Sequence, residues 1–338
     1  MKDVLLSVKN LRTSYEVDNT VYKAVNGISF DVHTKECLGI VGEAGAGKTT
    51  TALSIMGLLP KDLGRVEAGE VTFKGDDLLD KSQDYVRMLR GSLISMVFQD
   101  PMTSLNPVMT IEKQISEVLE FHNKIEVNNK FITKYNKKDI SEKVDEILKL
   151  VGIPPERKYE YPHQFSGGMK QRVIIAMALV GEPELLIADE PTSALDVTIQ
   201  AQILNIIADL KDILGTSMII ITHDLGVVAE TCDNVAIMYA GEIIEYGTVK
   251  DIFTGDKHHP YTEGLMQSIP DLETETRRLI TIDGMMPDSS QLPVGCKFKD
   301  RCKWATGVCE MPVETLYSNG THRIKCHKFL EEESCHQF

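Results

Sequence analysis

Gly42-Glu43-Ala44-Gly45-Ala46-Gly47-Lys48-Thr49 is the stretch on which the reading of this chain turns. It fits G-x-x-x-x-G-K-[ST], the signature of a loop that cradles phosphates. The apolar run Cys37-Leu38-Gly39-Ile40-Val41 before it predicts a buried strand, and Thr50-Thr51-Ala52-Leu53-Ser54-Ile55-Met56 after it predicts a helix. Gly42, Gly45, Ala46 and Gly47 would let backbone N–H groups gather on phosphate oxygens, and the helix N-terminus adds partial positive charge. Lys48 would reach the β- and γ-phosphates, the Thr49 hydroxyl would ligate Mg²⁺, and Thr50 follows them into the site. Strand, loop and helix together imply a nucleoside triphosphate site.

Further along the chain, two more apolar runs end in chemistry. Leu185-Leu186-Ile187-Ala188 predicts a buried strand that delivers Asp189 and Glu190. Adjacent acids at a buried strand end are costly unless a cation or a proton transfer uses them. Asp189 suits water-mediated Mg²⁺ coordination, and Glu190 suits a general base that polarises an attacking water. Met218-Ile219-Ile220-Ile221 predicts a third strand, followed by Thr222-His223-Asp224. Strand ends carrying Lys48 and Thr49, Asp189 and Glu190, and His223 match the ligand edge of a parallel sheet. Met96-Val97-Phe98 likewise leads to Gln99, whose amide could reach the Mg²⁺ or the attacking water.

Residues 1–36 read as β-structure, with Tyr15 between two strands as an aromatic able to stack on a purine. Tyr22 is its rival, and a plain strand aromatic is an equally good reading. Ser166-Gly167-Gly168 opens a helix that runs through Leu179, with Ser166 as N-cap and two glycines leaving N–H groups open to an anion. Asp196 caps the next helix. Helical spacing returns over 110–150, interrupted by a polar connector at 123–138. Within it, Asn136-Lys137-Lys138-Asp139 fits the N-K-x-D that reads guanine, but it follows polar sequence and no D-x-x-G precedes it, so a local structural role is the better reading.

The 50 acidic and 36 basic residues leave a net charge of −14, which argues against a broad nucleic-acid-binding face. The N-terminus lacks the apolar core of a signal peptide, and no apolar run is long enough to cross a membrane, so a cytosolic chain with reduced cysteines is expected.

The ordered set formed by the loop, Gln99, Ser166-Gly167-Gly168, Asp189-Glu190, Ser193 to Asp196 and His223 resembles the ATP-binding-cassette ATPases over residues 1–255. The resemblance implies an α/β P-loop NTPase fold: a RecA-like mixed-sheet core, an antiparallel β-subdomain, and a helical subdomain at about residues 100–180. It implies that two cassettes sandwich ATP and Mg²⁺ head to tail, with Ser166-Gly167-Gly168 of one completing the loop site of the other. Gln99 would then ligate Mg²⁺ and sense a membrane partner, His223 would hold the γ-phosphate, and Tyr15 would stack on adenine. Phe98 to Pro107, Tyr161 to Gly168 and His259-Pro260-Tyr261-Thr262 look like the dipeptide/oligopeptide importer branch. That branch implies import driven by ATP hydrolysis from the cytoplasmic face of the membrane. Its partners would be a paralogous cassette or a second copy, two transmembrane permeases and an extracytoplasmic peptide-binding protein. Ala44, Ala46, Phe165 and Met169 depart from the usual residues. Nickel or glutathione import is the nearest alternative. A non-transport cassette acting on DNA or ribosomes is disfavoured by the single loop, the absence of sustained heptads and the acidic charge.

Residues 256–338 shift in composition, with Pro270, Pro287, Pro293 and Pro312 and few long apolar runs, and predict a loop-rich C-terminal extension. Cys296, Cys302, Cys309 and Cys326 fall there at C-x₅-C-x₆-C-x₁₆-C. So little apolar sequence calls for a staple, and clustered thiols in a reducing compartment favour a metal over plain packed thiols, with zinc and iron–sulfur both open and a metal-free cluster as the further alternative. The resemblance to the importer branch favours a [4Fe–4S] cluster, with Zn²⁺ as the alternative. A redox enzyme is a third reading, but no dinucleotide fingerprint accompanies the cysteines. Cys37 and Cys232 read as packed thiols and Cys335 as a tail residue.

Overall fold

Short, fully apolar strands separated by helices need burial on both faces, and the computed structural model of the chain satisfies that need. It describes residues 3–99, 104–127, 130–193, 196–268, 281–312 and 317–329. The chain divides into two compact units: Met1–Val4, Val32–Cys37 and Asp80–Ile221 form one, while Leu5–Asp31, Leu38–Leu79 and Thr222–Phe338 form the other.

In the first unit, strand Leu185–Asp189 lies between parallel strands Ile94–Val97 and Ser217–Thr222. Every residue of Leu185–Asp189 and of Ser217–Thr222 is buried, the pattern of a parallel sheet covered on both faces. The register sets Val97 opposite Ala188 and Ile221 opposite Asp189, which aligns the strand ends that carry the predicted chemistry.

Helices Ile111–Phe121, Lys137–Leu150 and Gly167–Leu179 bury Ile111, Ile115, Val144, Leu148, Val173 and Ile175. The connector expected at 123–138 is more ordered than its composition suggests, because Lys124–Val127 and Lys130–Thr133 pair as an antiparallel hairpin. Polar and apolar residues alternate over Lys124-Ile125-Glu126-Val127 at the period of a strand, a signal that the high Lys and Asn content of the connector obscures. Asn136 caps the following helix, accepting from the Lys138 and Asp139 N–H groups at 2.8 and 3.1 Å, while Asp139 accepts from Asn136 N–H at 2.8 Å. The N-K-x-D match is therefore a capping box.

In the second unit, strands Thr20–His33, Val4–Val17, Gly64–Phe73 and Asp76–Asp77 form a four-stranded sheet in that order. A second set of strands runs Cys37–Val41, Asn234–Tyr239, Glu242–Thr248, His322–Ile324 and Tyr317–Asn319, the first pair parallel and the rest antiparallel. His322–Ile324 thus adds a strand from the far end of the sequence beside Glu242–Thr248. Val41, Val228, Ile237, Tyr239, Tyr261 and Phe298 share one buried cluster. The polypeptide after residue 255 is held there by Tyr261 and Phe298, and by helix Pro260–Gln267 and three 3₁₀ turns. No helix among the described residues is long and apolar enough to cross a membrane.

Candidate nucleotide site and cysteine cavity

The phosphate loop is shaped by positions where a side chain cannot fit. A Cβ on Gly42 would stand 2.3 Å from the Met238 carbonyl oxygen, and one on Gly47 would stand 2.4 Å from that of Ala24. Gly47 also has φ of 100°, in the left-handed region. The Gly241 N–H donates to Ala46 O at 2.9 Å, and Ala46 is fully buried. Lys48 is 5% exposed, and its Nζ donates to Gly42 O at 2.7 Å and Glu43 O at 3.1 Å, which places the ammonium inside the loop.

Helix Lys48–Ile55 starts from Gly47 with no side-chain cap and no acid in its first turn. Uncovered N–H groups at a helix start suit an anion. Thr49 is exposed at this end, and Thr50 Oγ1 accepts from the Tyr15 hydroxyl at 3.3 Å. Tyr15, the expected purine-stacking aromatic, therefore touches the first turn of the loop's own helix.

In the first unit, Asp189 is 1% exposed at the end of its strand. Glu190 follows with φ of 46°, an uncommon conformation for a non-glycine residue, and its N–H donates to Ile221 O at 2.8 Å. Gln99 Nε2 donates to Glu190 Oε2 at 3.0 Å. Two predicted residues 91 apart in sequence are thereby brought into contact.

Ser166 Oγ accepts from the Met169 N–H at 3.4 Å as the N-cap of helix Gly167–Leu179, and Ser166 and Gly167 are exposed. Gly168 has a packing reason the sequence does not show: a Cβ there would meet Ile199 Cγ2 at 2.6 Å. Asp196 caps its helix as expected, accepting from Ile199 N–H at 3.1 Å. His223 is exposed in the second unit, between Thr222 and the helix-capping Asp224, which accepts from Gly226 N–H at 2.8 Å. Residues 100–103, 194–195 and Cys335 lie outside the described residues.

The four predicted cysteines come together. Cys296, Cys302, Cys309 and Cys326 line one cavity of about 340 Å³, together with His259 and His327. Burial pushes the Cys296 and Cys302 thiols up, and pushes that of Cys326 up to about 11. His259 is fully buried, which holds its imidazole down to about 4 and so keeps it neutral. Its Nδ1 accepts from Tyr261 N–H at 3.0 Å, so the ring proton sits on Nε2, and that buried nitrogen has no hydrogen-bond partner among the described residues. The groups at this cavity are four sulfurs, the orphaned His259 N–H and His327 Nδ1, which likewise has no hydrogen-bond partner among the described residues.

Sequence reasoning missed a second cluster in the same unit. Glu245, fully buried, accepts from His258 Nδ1 at 2.8 Å, His322 Nε2 at 3.0 Å and the His259 N–H at 2.8 Å. Ligand atoms of Glu245, His258 and His322 lie within 4.8 Å of one another, inside the reach of a metal. His258 Nε2 also faces the Gly255 carbonyl at 2.8 Å, so both of its nitrogens donate and the pair is satisfied as imidazolium and carboxylate. Burial alone would raise the Glu245 carboxyl, but the hydrogen bonds from His258 and His322 outweigh it and hold the group at about 2. The Glu245 hydrogen bond raises His258.

The signs set a pH window. The Glu245 contribution is complete above its ordinary 4.5 and is lost as pH falls toward 2. The His258 contribution is complete below 6.5 and is lost as pH rises through its raised value. Urea unfolding is expected to show Glu245→Gln losing about 3 kcal/mol between these limits, because removing one partner strands a buried charge. The difference from the unmodified chain narrows at either end. A variant as stable as the parent at pH 5.5 would contradict this.

Comparison with known proteins bears on both halves of the chain. The model of the ABC transporter family matches residues 25–193, and that of the oligopeptide/dipeptide transporter C-terminal region matches residues 244–309. A probable peptide ABC transporter ATP-binding protein of Sinorhizobium fredii is 50% identical over 96% of this chain and 95% of its own length. The dipeptide transport ATP-binding protein of Bacillus subtilis is 48% identical over 95% of this chain and 94% of its own. The oligopeptide transport ATP-binding protein of that organism is 47% identical over 95% and 88%. Among solved structures, the cbiO1 subunit of a Clostridium perfringens ABC transporter complex superposes with a TM-score of 0.62 at 31% identity, covering 75% of this chain and 92% of that one.

Proposed function

The chain belongs to the ABC transporter ATPases, and from that premise we propose that it is the nucleotide-binding subunit of a peptide importer, at the cytoplasmic face of the membrane. ATP and Mg²⁺ are the cofactors of the family. The observation that supports peptide import is the near full-length similarity to dipeptide and oligopeptide transport ATP-binding proteins, which extends through residues 244–309. Residues 1–255 serve as the ATPase and residues 256–338 as the extension that marks the branch.

In this reading Lys48 and the loop N–H groups bind the phosphates, Thr49 and Gln99 ligate Mg²⁺, and Asp189 orders its water shell. Glu190 is the general base, held by Gln99, and His223 contacts the γ-phosphate. Ser166-Gly167-Gly168, exposed at Ser166 and Gly167, serves a partner cassette, so the working unit pairs this chain with a paralogue or a second copy. Two permeases convert closure and reopening into transport of a peptide delivered by an extracytoplasmic binding protein. Co-purification from membranes tests the assembly: permease and binding-protein subunits with a second cassette are the expected partners, and a chain recovered alone or on ribosomes would refute it.

The cysteine cavity fits a sulfur-bound group. Four thiols supply the ligands of a tetrathiolate centre, and the buried His259 Nε2–H, which lacks a partner among the described residues, suits a neighbour rich in thiolate or sulfide acceptors. We assign it to a [4Fe–4S] cluster held by Cys296, Cys302, Cys309 and Cys326, with a structural role in a region poor in apolar sequence. Anaerobic purification is expected to yield a brown protein with iron and acid-labile sulfide in equal amounts, and Cys302→Ser is expected to lose both. Stoichiometric zinc without iron would reject the cluster.

A further inference from the structure

Arg301, one residue before Cys302, engages all five of its N–H donors. Nε donates to Asp283 O at 3.0 Å, and Nη2 donates to Ile282 O at 3.2 Å. Nη1 donates to the Tyr239 hydroxyl at 3.3 Å, and the two Nη atoms grip Glu43 Oε2 and Oε1 at 2.9 and 3.1 Å. The Arg301 side chain is 6% exposed and that of Glu43 32%, so the fork-on-fork pair is shielded on one side. Glu43 is the second residue of the phosphate loop. Its N–H donates to the Tyr261 hydroxyl at 3.0 Å, and its carbonyl accepts from Lys48 Nζ at 3.1 Å. Two residues beyond position 255 therefore hold one loop residue by its side chain and its backbone, and that residue touches the loop lysine.

A loop built on Gly42, Gly45 and Gly47 has more conformational freedom to lose on binding phosphate than any other backbone. Whatever fixes it beforehand raises affinity by removing that cost from the binding step. We propose that Arg301 and Tyr261 are positioning residues for nucleotide binding: they fix Glu43, and through its carbonyl the Lys48 ammonium, so that the C-terminal extension sets the affinity of the phosphate loop. The inference rests on the reading of Gly42 to Thr49 as the ATP loop. It also gives the cysteine site a route to the nucleotide, since Arg301 and Cys302 are adjacent.

Calorimetric titration of the full chain with MgADP, which occupies the loop without turnover, tests this. Dissociation constants are expected to rise about tenfold in Arg301→Gln and in Glu43→Gln, the size of one charge-assisted hydrogen bond. The double variant should be no worse than either single, because both remove one interaction. Tyr261→Phe, which deletes one oxygen and keeps the ring in its aromatic cluster, is expected to weaken binding several-fold at unchanged melting temperature, a split that a purely structural anchor would not produce. In the assembled transporter the same variants should raise KM for ATP and leave kcat near the parent value. If Arg301→Gln does not fold, Tyr261→Phe decides. MgADP binding equal to the parent in Tyr261→Phe and in any folded Arg301→Gln would overturn the clamp. A parent chain that binds no nucleotide would overturn the loop assignment itself.

Discussion

Glu190→Gln is expected to bind ATP as the parent does and to lose most of its turnover, by a factor of about 10²–10⁴. The substitution keeps the side-chain shape and an oxygen to accept the Gln99 amide, which reaches Glu190 Oε2 at 3.0 Å. It also leaves the left-handed backbone at residue 190, φ of 46°, and the N–H contact to Ile221 O undisturbed. What it removes is the capacity to take a proton from the attacking water. Binding and catalysis should therefore separate cleanly: nucleotide affinity by calorimetry stays put while phosphate release collapses. Phosphate release at the parent rate would remove Glu190 from the role of base. Gln99→Ala is the milder companion, because it removes one hydrogen bond to the Glu190 carboxylate and keeps the carboxylate itself.

The second large effect is expected at Gly47. Alanine there would have to adopt φ of 100° and to place its Cβ 2.4 Å from the Ala24 carbonyl oxygen, a backbone atom that cannot swing aside. Gly45 supplies the control. It also has positive φ, 82°, but among the described residues its Cβ would meet only the Met286 methyl group, at 3.6 Å. Gly45→Ala bears the left-handed cost of about 1 kcal/mol and should weaken ATP binding several-fold. Gly47→Ala bears that cost and a collision, so ATP affinity is expected to fall by at least about a hundredfold, or ~2.7 kcal/mol. Calorimetry on the two variants discriminates. Equal losses would mean that backbone strain, not the contact with Ala24, governs the loop.

The parts of the site that local sequence announces are those built from one strand and the turn after it. Lys48, Asp189, Glu190 and His223 each follow an apolar run: Asp189 ends its strand, Glu190 and His223 stand one residue past theirs, and Lys48 opens the helix that follows the strand and loop. Gln99 was readable for the same reason, although its partner Glu190 stands 91 residues away. The grip of Arg301 on Glu43 was not, because it joins residues 258 apart through side chains that no periodicity marks. Glu245 with His258 and His322 was hidden likewise, since His322 reaches it only when its strand pairs beside Glu242–Thr248. The cysteine spacing predicted a cluster of thiols but not the buried His259 nitrogen at the same cavity, which depends on the neighbouring Tyr261 N–H fixing the ring tautomer. The hairpin at 124–133 was masked by composition, and the glycine at 168 carries a packing demand from Ile199 that motif matching attributes to an anion.

Family membership makes the chain an ATPase. What it powers is the central claim, and uptake of a labelled dipeptide by proteoliposomes containing this chain and its membrane partners tests that most directly. Accumulation that requires ATP on the side of the cassettes and disappears with Glu190→Gln is the predicted result. Peptide uptake that proceeds equally without ATP, or with Glu190→Gln in place of the parent, would contradict it.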